Sequence, residues 1–225
     1  MTRDPSDARA LAAGYATSHR IYEYGGVFVG LTCAVWLIWR IVHEPAIPFG
    51  SALYAIVLGM LLADITSGTV HWMMDTWGTP TTPVVGALAI RTFREHHVDE
   101  KAMLRHDFIE TNGHNCALSI ILSSIGLHSN STFTAYSMIT GAFFIAMTSQ
   151  IHKWAHMDHP PMLVRALQWT RIILSPRHHH EHHVAPHTRN YCITTGWLDG
   201  PLRILRVWET LEAIISFVTG ARPRG

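Results

Sequence analysis

What most constrains this chain is a series of four apolar blocks, joined in pairs by two short connectors that carry no lysine or arginine. Gly25 to Val42 (GGVFVGLTCAVWLIWRIV) holds a single charge, Arg40, near its end. At 1.5 Å per residue a helix of that length is about 27 Å long, enough to cross a thin hydrocarbon core. A second block runs from Ser51 through Ile65 and continues helically to about Trp72. The third, Cys116 to Leu127, is short, and the fourth, Phe133 to Ser149, is again near spanning length. HEPAIPFG joins the first pair and HSNST the second. The pattern predicts an all-α, integral membrane fold with four transmembrane helices in two hairpins, at about 25–42, 51–72, 116–128 and 132–151. Residues 1–24 then form an N-terminal cytoplasmic tail, and 25–225 a single domain. The competing assignment makes blocks three and four core helices of a soluble domain, since twelve residues is short for a span.

Charge bias gives the orientation. Of 17 Lys and Arg, only Arg40 lies outside the N-terminal tail, the middle segment 73–115 and the C-terminal segment 150–225. By the positive-inside rule the termini and the middle segment face the cytoplasm. The first 24 residues contain Arg3, Asp4, Asp7, Arg9, Arg20 and Glu23 and lack the apolar region of a secretory signal. Charged residues are only 15% of the chain and the net charge is +1. No basic stripe tracks a phosphate backbone, which argues against nucleic acid as a partner. Cys33, Cys116 and Cys192 stand alone, with no CxxC pair, and read as small buried hydrophobes.

Histidine is the anomaly: 17 residues, against 16 Asp and Glu together. Imidazole is the commonest metal ligand near neutral pH, and most of these histidines fall on the cytoplasmic side of the expected topology. His71 lies at the end of block two. His152 and His156 form an HxxxH pair at the end of block four. His96, His97, His106 and His114 occupy the middle segment. The densest run is Ser175-Pro176-Arg177-His178-His179-His180-Glu181-His182-His183-Val184-Ala185-Pro186-His187. Ser175 and Pro176 read as an N-cap and first helical residue. The i,i+4 pairs His178/His182 and His179/His183 would share one side of such a helix. Adjacent His96 and His97 point about 100° apart on a helix and so serve different metals, or one supports the other. His19, His43, His128 and His180 read as structural or surface residues. At the end of block two, Asp64, Gly68, His71 and Asp75 form one helical stripe. An ionisable Asp64 within apolar sequence is a functional candidate or an interhelical hydrogen-bonding group.

Nine or ten candidate imidazoles are too many for one zinc, which closes with four ligands. They suit two octahedral-leaning ions of intermediate softness, and iron fits. Iron at a membrane surface has an evident use: with O2 it can remove hydrogen from an unactivated chain, which no side-chain acid or base can do. A metal transporter would instead place ionisable ligands near the bilayer midplane.

The HxxxH and HxxHH spacings (His152/His156; His179, His182, His183) resemble those of membrane di-iron desaturases and hydroxylases. More closely, ADITSGTVHWMMDTWG, FREHHVDEK, RHDFIETNGHNC, QIHKWAH, HHHEHHVAPH and YCITTGWLDGPL are similar to the Kua/CarF lipid desaturase family, over roughly residues 60–222. The family includes plasmanylethanolamine desaturase and relatives of a plant chloroplast acyl-lipid desaturase. The resemblance implies oxidation of an alkyl ether phospholipid to a vinyl ether, with acyl-lipid desaturation or hydroxylation as the alternative. It also implies two iron ions, O2 as co-substrate and an external electron-transfer protein, cytochrome b5-like or ferredoxin-like. Carried onto this sequence, the implied iron ligands are His71, His96, His97, His152, His156, His178, His179, His182 and His183. Asp75, His106 and His187 match motif positions as ligands or as supports for ligands. Glu100 and His114 stand where the family pattern has proline and aspartate, so His114 is not counted. Trp72, Trp77, Trp154 and Trp169 are expected along a substrate groove or an interfacial belt.

Overall fold

The computed structural model describes residues 15–224, and among them it contains helices and no strand. The expected tail up to residue 14 lies outside the described residues. Four long helices dominate: α1 (Thr17–His43), α2 (Phe49–Thr76), α4 (Phe108–His128) and α5 (Thr132–Ala155). Between α2 and α4 run a π-helical turn (Gly86–Ile90), α3 (Arg91–Val98) and a 3-10 turn (Ala102–Arg105). After α5 come α6 (Met162–Trp169), α7 (Pro176–His180), α8 (Asp199–Ile204) and α9 (Val207–Thr219).

The two sequence hairpins interleave in space. α4 packs on α5, α1 on the far side of α4, and α2 on the far side of α5. Gly26 of α1 faces Gly113 and Ala117 of α4, and Leu37 faces Gly126, so these helices run parallel. Gly59 of α2 faces Ser137 and Gly141 of α5, again in parallel. Glycine is needed at such crossings, because a Cβ on Gly59 would lie 2.5 Å from the Ser137 carbonyl oxygen. Small residues of this kind let apolar helices meet backbone to backbone. Arg40, the one basic residue of the first block, is taken up at the connector end. Its guanidinium donates to the Gly126 carbonyl at 2.7 Å, the Leu127 carbonyl at 2.8 Å and the Ser129 carbonyl, and pairs with Glu44. It thereby satisfies the C-terminal carbonyls of α4 that a helix leaves open.

Among the described residues, α1 and α2 are the two helices long and apolar enough on their own to cross a membrane, and only 17% and 28% of their apolar windows are buried inside the protein. A core helix of a soluble protein would be mostly covered. Phe28, Trp36, Trp39, Phe49 and Tyr54 are instead exposed. α4 starts eight residues before the expected third block. Asp107 caps it, accepting the Glu110 N–H at 2.9 Å, and the polar residues that follow are satisfied by neighbouring helices. Asn112 Oδ1 accepts the Gln150 N–H at 3.0 Å, and Asn115 donates to Ser149 Oγ at 2.8 Å.

The Asp64–Gly68–His71–Asp75 stripe faces an irregular strand of chain, 191–198, that returns along α2. Asp64 Oδ1 accepts the N–H groups of Thr195 (2.7 Å) and Gly196 (2.9 Å), and Oδ2 accepts that of Leu198 (3.0 Å). Ser67 Oγ accepts the Ile193 N–H at 3.2 Å, and Gly68 lies against Cys192. Asp64 therefore anchors this non-helical segment to α2: buried backbone donors must find acceptors, and its carboxylate takes three of them. The four tryptophans have different surroundings, with Trp77 meeting Trp72 edge-on at 6.4 Å. Trp72 stacks on Trp208 at 5.2 Å and donates to Glu212, Trp154 packs in a second core around Ile151 and Leu174, and Trp169 is exposed.

Candidate metal centre

Four separate pieces of chain converge at the end of the bundle where α2 and α5 finish. α2 contributes His71 and Asp75, α3 contributes His96 and His97, and α5 contributes His152 with His156 just past its last turn. α7 and the turns after it bring His179, His182 and His183. Ser175 caps α7 through the His178 N–H and Pro176 occupies its first position, as the sequence predicts.

These side chains sort into two groups. His96, His152, His156, His179 and His183 bring one ring nitrogen each to a common region. His152 and His179 Nε2 lie 2.7 Å apart, His156 and His179 2.8 Å, His179 and His183 2.9 Å, His96 and His183 3.0 Å, and His152 and His156 3.2 Å. A metal–nitrogen distance of about 2.1 Å places neighbouring donors of an octahedron about 3.0 Å apart and those of a tetrahedron about 3.4 Å apart. These five separations, 2.7–3.2 Å, lie nearer the octahedral edge than the tetrahedral one.

The second group is His71, Asp75, His97 and His182. Asp75 Oδ2 lies 3.0 Å from His97 Nε2, 3.3 Å from His71 Nε2 and 3.4 Å from His182 Nε2, and the last two histidines of the set, His97 and His182, are 3.3 Å apart. As expected from the 100° step, His96 and His97 point into different groups, and so do His182 and His183.

The outer nitrogens fix the ring states. His71 Nδ1 donates to the Tyr191 carbonyl at 3.0 Å, and His182 Nδ1 donates to the Arg189 carbonyl at 2.8 Å. A carbonyl only accepts, so each Nδ1 carries the proton and each Nε2 turns a lone pair inward. This is the outer-shell arrangement of metal-binding histidines. His183 Nδ1 faces Glu100 Oε1 at 3.5 Å. Burial, reinforced by the surrounding imidazoles, holds His96, His179 and His183 well below the ordinary imidazole range, so they are neutral and able to ligate. His71 Nε2 and Asp75 Oδ1 are buried without a hydrogen-bond partner. An imidazole-rich set with one carboxylate and a buried, unpartnered His71 Nε2 fits iron of intermediate softness.

Three expected residues stand apart from both groups. His178 Nε2 contacts Asp199 Oδ2 at 2.7 Å, and that hydrogen bond raises the His178 pKa. α7 ends at His180, so the i,i+4 relation of His178 to His182 does not place both rings on one side. His106 lies 3.5 Å from Glu110 and borders a cavity beside the five-histidine group. His187 Nδ1 donates to the His182 carbonyl at 2.9 Å, and its ring sits 4.8 Å from that of His97, a supporting position. His180 is exposed. Asp199, Tyr191 and Arg189 are site residues that no spacing in the sequence marks. Asp199 and Tyr191 lie in the YCITTGWLDGPL string, and that string was the available signal. The backbone carbonyl of Arg189 leaves no side-chain signature.

A lipid desaturase domain family model matches residues 60–225, which contain every member of both groups. Plasmanylethanolamine desaturase of Myxococcus xanthus is 44% identical over 97% of this chain and 79% of its own length. Plasmanylethanolamine desaturase 1 of Mus musculus is 40% identical over 96% of this chain and 84% of its own. Fatty acid desaturase 4, chloroplastic, of Arabidopsis thaliana is 38% identical over 74% of this chain and 52% of its own. No solved structure matches the chain.

Proposed function

This chain belongs to the lipid desaturase family and is an oxidoreductase, and from that premise we propose that it is a di-iron, O2-dependent enzyme converting an alkyl ether phosphoethanolamine lipid to the vinyl ether. The observation that carries the reading is the pair of adjacent donor groups, five imidazoles in one and three imidazoles with Asp75 in the other. His96, His152, His156, His179 and His183 hold one iron; His71, Asp75, His97 and His182 hold the second. When bound, the two irons supply O2 activation and the removal of one hydrogen from each of two adjacent carbons. O2, two electrons from an external donor, two protons and the two hydrogens taken from the chain would leave as two waters, and the C1–C2 bond of the ether-linked chain would become a double bond.

The side chains supply position. Tyr191 and Arg189 hold His71 and His182 through their carbonyls, and Asp64 and Asp199 fix the returning segment that carries Tyr191. Such rigidity matters because a misplacement of about 1 Å can cost on the order of a hundredfold in rate. We place the chain in the membrane with four spans, both termini and the metal centre on the cytoplasmic side, a reading supported by the two long apolar helices α1 and α2. The lysine- and arginine-free connectors 44–48 and 129–131 support that orientation.

The test is lipid analysis of a host with and without the gene, grown with and without O2. Vinyl ether phosphoethanolamine lipids should appear only with both the gene and O2. New unsaturation confined to acyl chains would replace the ether substrate with an acyl lipid.

A further inference from the structure

Two small cavities lie against each other at the end of the bundle. One, of about 30 Å³, sits among α2, α4 and α5, with Val70, Leu118 and Ile145 in its wall. The other, of about 80 Å³, borders His96 and His152 of the five-histidine group. Phe93, Ser149 and Ile193 belong to both walls. A molecule of water's size needs about 10–15 Å³ of such space. The inner cavity therefore admits one or two such molecules, and a hydrocarbon chain does not fit.

The inner wall offers little to water. Thr66 donates its hydroxyl to the Leu62 carbonyl at 2.7 Å, Ser67 to the Asp64 carbonyl at 2.8 Å, and Thr148 to the Phe144 carbonyl at 2.8 Å. Asn115 donates to Ser149 Oγ at 2.8 Å. A buried water needs two to four polar partners, and these groups already have theirs. Val70, Phe93, Leu118, Ile145 and Ile193 supply apolar surface around the space. Apolar voids of this kind stay dry and take up apolar molecules such as xenon. Leu118 and Ile145 fall inside the expected spans 116–128 and 132–151, at the depth of the hydrocarbon. O2 is apolar and dissolves several times better in hydrocarbon than in water, so the bilayer core is its richer source.

We propose that the cavity among Val70, Leu118 and Ile145 is a binding site for O2 drawn from the bilayer core. From it O2 passes between Phe93, Ser149 and Ile193 into the second cavity and meets the metal centre on the His96 and His152 side. The identity of the gas rests on the O2-dependent desaturase reading; the apolar site itself does not. A separate path for O2 leaves the lipid free to approach the centre elsewhere, so the two substrates do not compete for one entrance.

The test uses iron-loaded full-length protein and xenon as the probe. Crystals pressurised with xenon should show anomalous density among Val70, Leu118 and Ile145. Leu118→Phe, which puts a ring into the space, should remove that density. It should also raise the KM for O2 about tenfold, the low end of what small changes in an apolar pocket do. Iron content, the KM for the lipid and kcat at saturating O2 should stay at wild-type values. If Leu118→Phe fails to fold or loses its iron, the wild-type protein decides the matter. Xenon should then act as a competitor of O2, raising the KM for O2 and leaving kcat and the lipid KM unchanged. Xenon found only on lipid-facing surfaces such as those of Phe28 and Trp36 would overturn the site. So would an unchanged KM for O2 once the cavity is filled by the ring or by xenon. Xenon in the cavity, with an O2-limited acyl product in place of a vinyl ether, would keep the site and defeat the ether-lipid reading, so the two claims fail separately.

Discussion

His178, His179 and His180 are consecutive and have three different environments. His179 Nε2 lies within 3 Å of three other imidazole nitrogens, His178 is held by Asp199, and His180 faces solvent. His179→Ala should therefore lose iron and all activity, and His180→Ala should match wild type in both. His178→Ala should keep its iron and lose activity by about 10- to 100-fold, the usual range for a residue acting through a ligand's support. Metal analysis and product assay on the three variants check this. If His178→Ala loses iron as completely as His179→Ala, its assignment to Asp199 is wrong. Spacing made His71, His152 and His156 legible, because they lie on, or directly at the end of, long helices where the period is regular. It misplaced His178 because the helix that would have carried it alongside His182 stops at His180, and the partner that claims its ring is 21 residues further on.

At the scale of the helices, the apolar blocks foretold α1 and α2 well, since composition alone marks a lipid-facing helix. They underestimated α4, whose first turns are polar and are completed only by α5 and α1. The pairing α1–α4 and α2–α5 was not readable either: it depends on close approach at Gly26, Gly30, Gly59 and Gly113, and a glycine in sequence does not say which helix it meets. Gly59→Leu should destabilise the protein by about 1–3 kcal/mol, the usual cost of overpacking, because its side chain would enter the backbone of α5. Gly50→Leu, where a Cβ meets nothing within 4 Å, should unfold at the wild-type temperature. Thermal unfolding in detergent distinguishes them, and equal losses would mean that the Gly59 crossing is not tight.

Across the whole molecule, the bundle brings the ends of α2 and α5 to one side, and the segment 191–198 runs from His71 back along α2 to its anchor at Asp64. The account requires all the ligands on one side of the membrane. Reporter fusions or cysteine labels at Pro48 and Asn130 should report the side opposite Gly225, and a same-side result would remove the four-span orientation and with it the cytoplasmic placement of the centre. The most direct measurement of the central claim is the metal content of the purified, active protein. Two donor groups predict close to two irons per chain, lost together with activity on chelation and regained together on adding ferrous iron. One stoichiometric zinc per chain, with activity restored by zinc alone, would contradict the account.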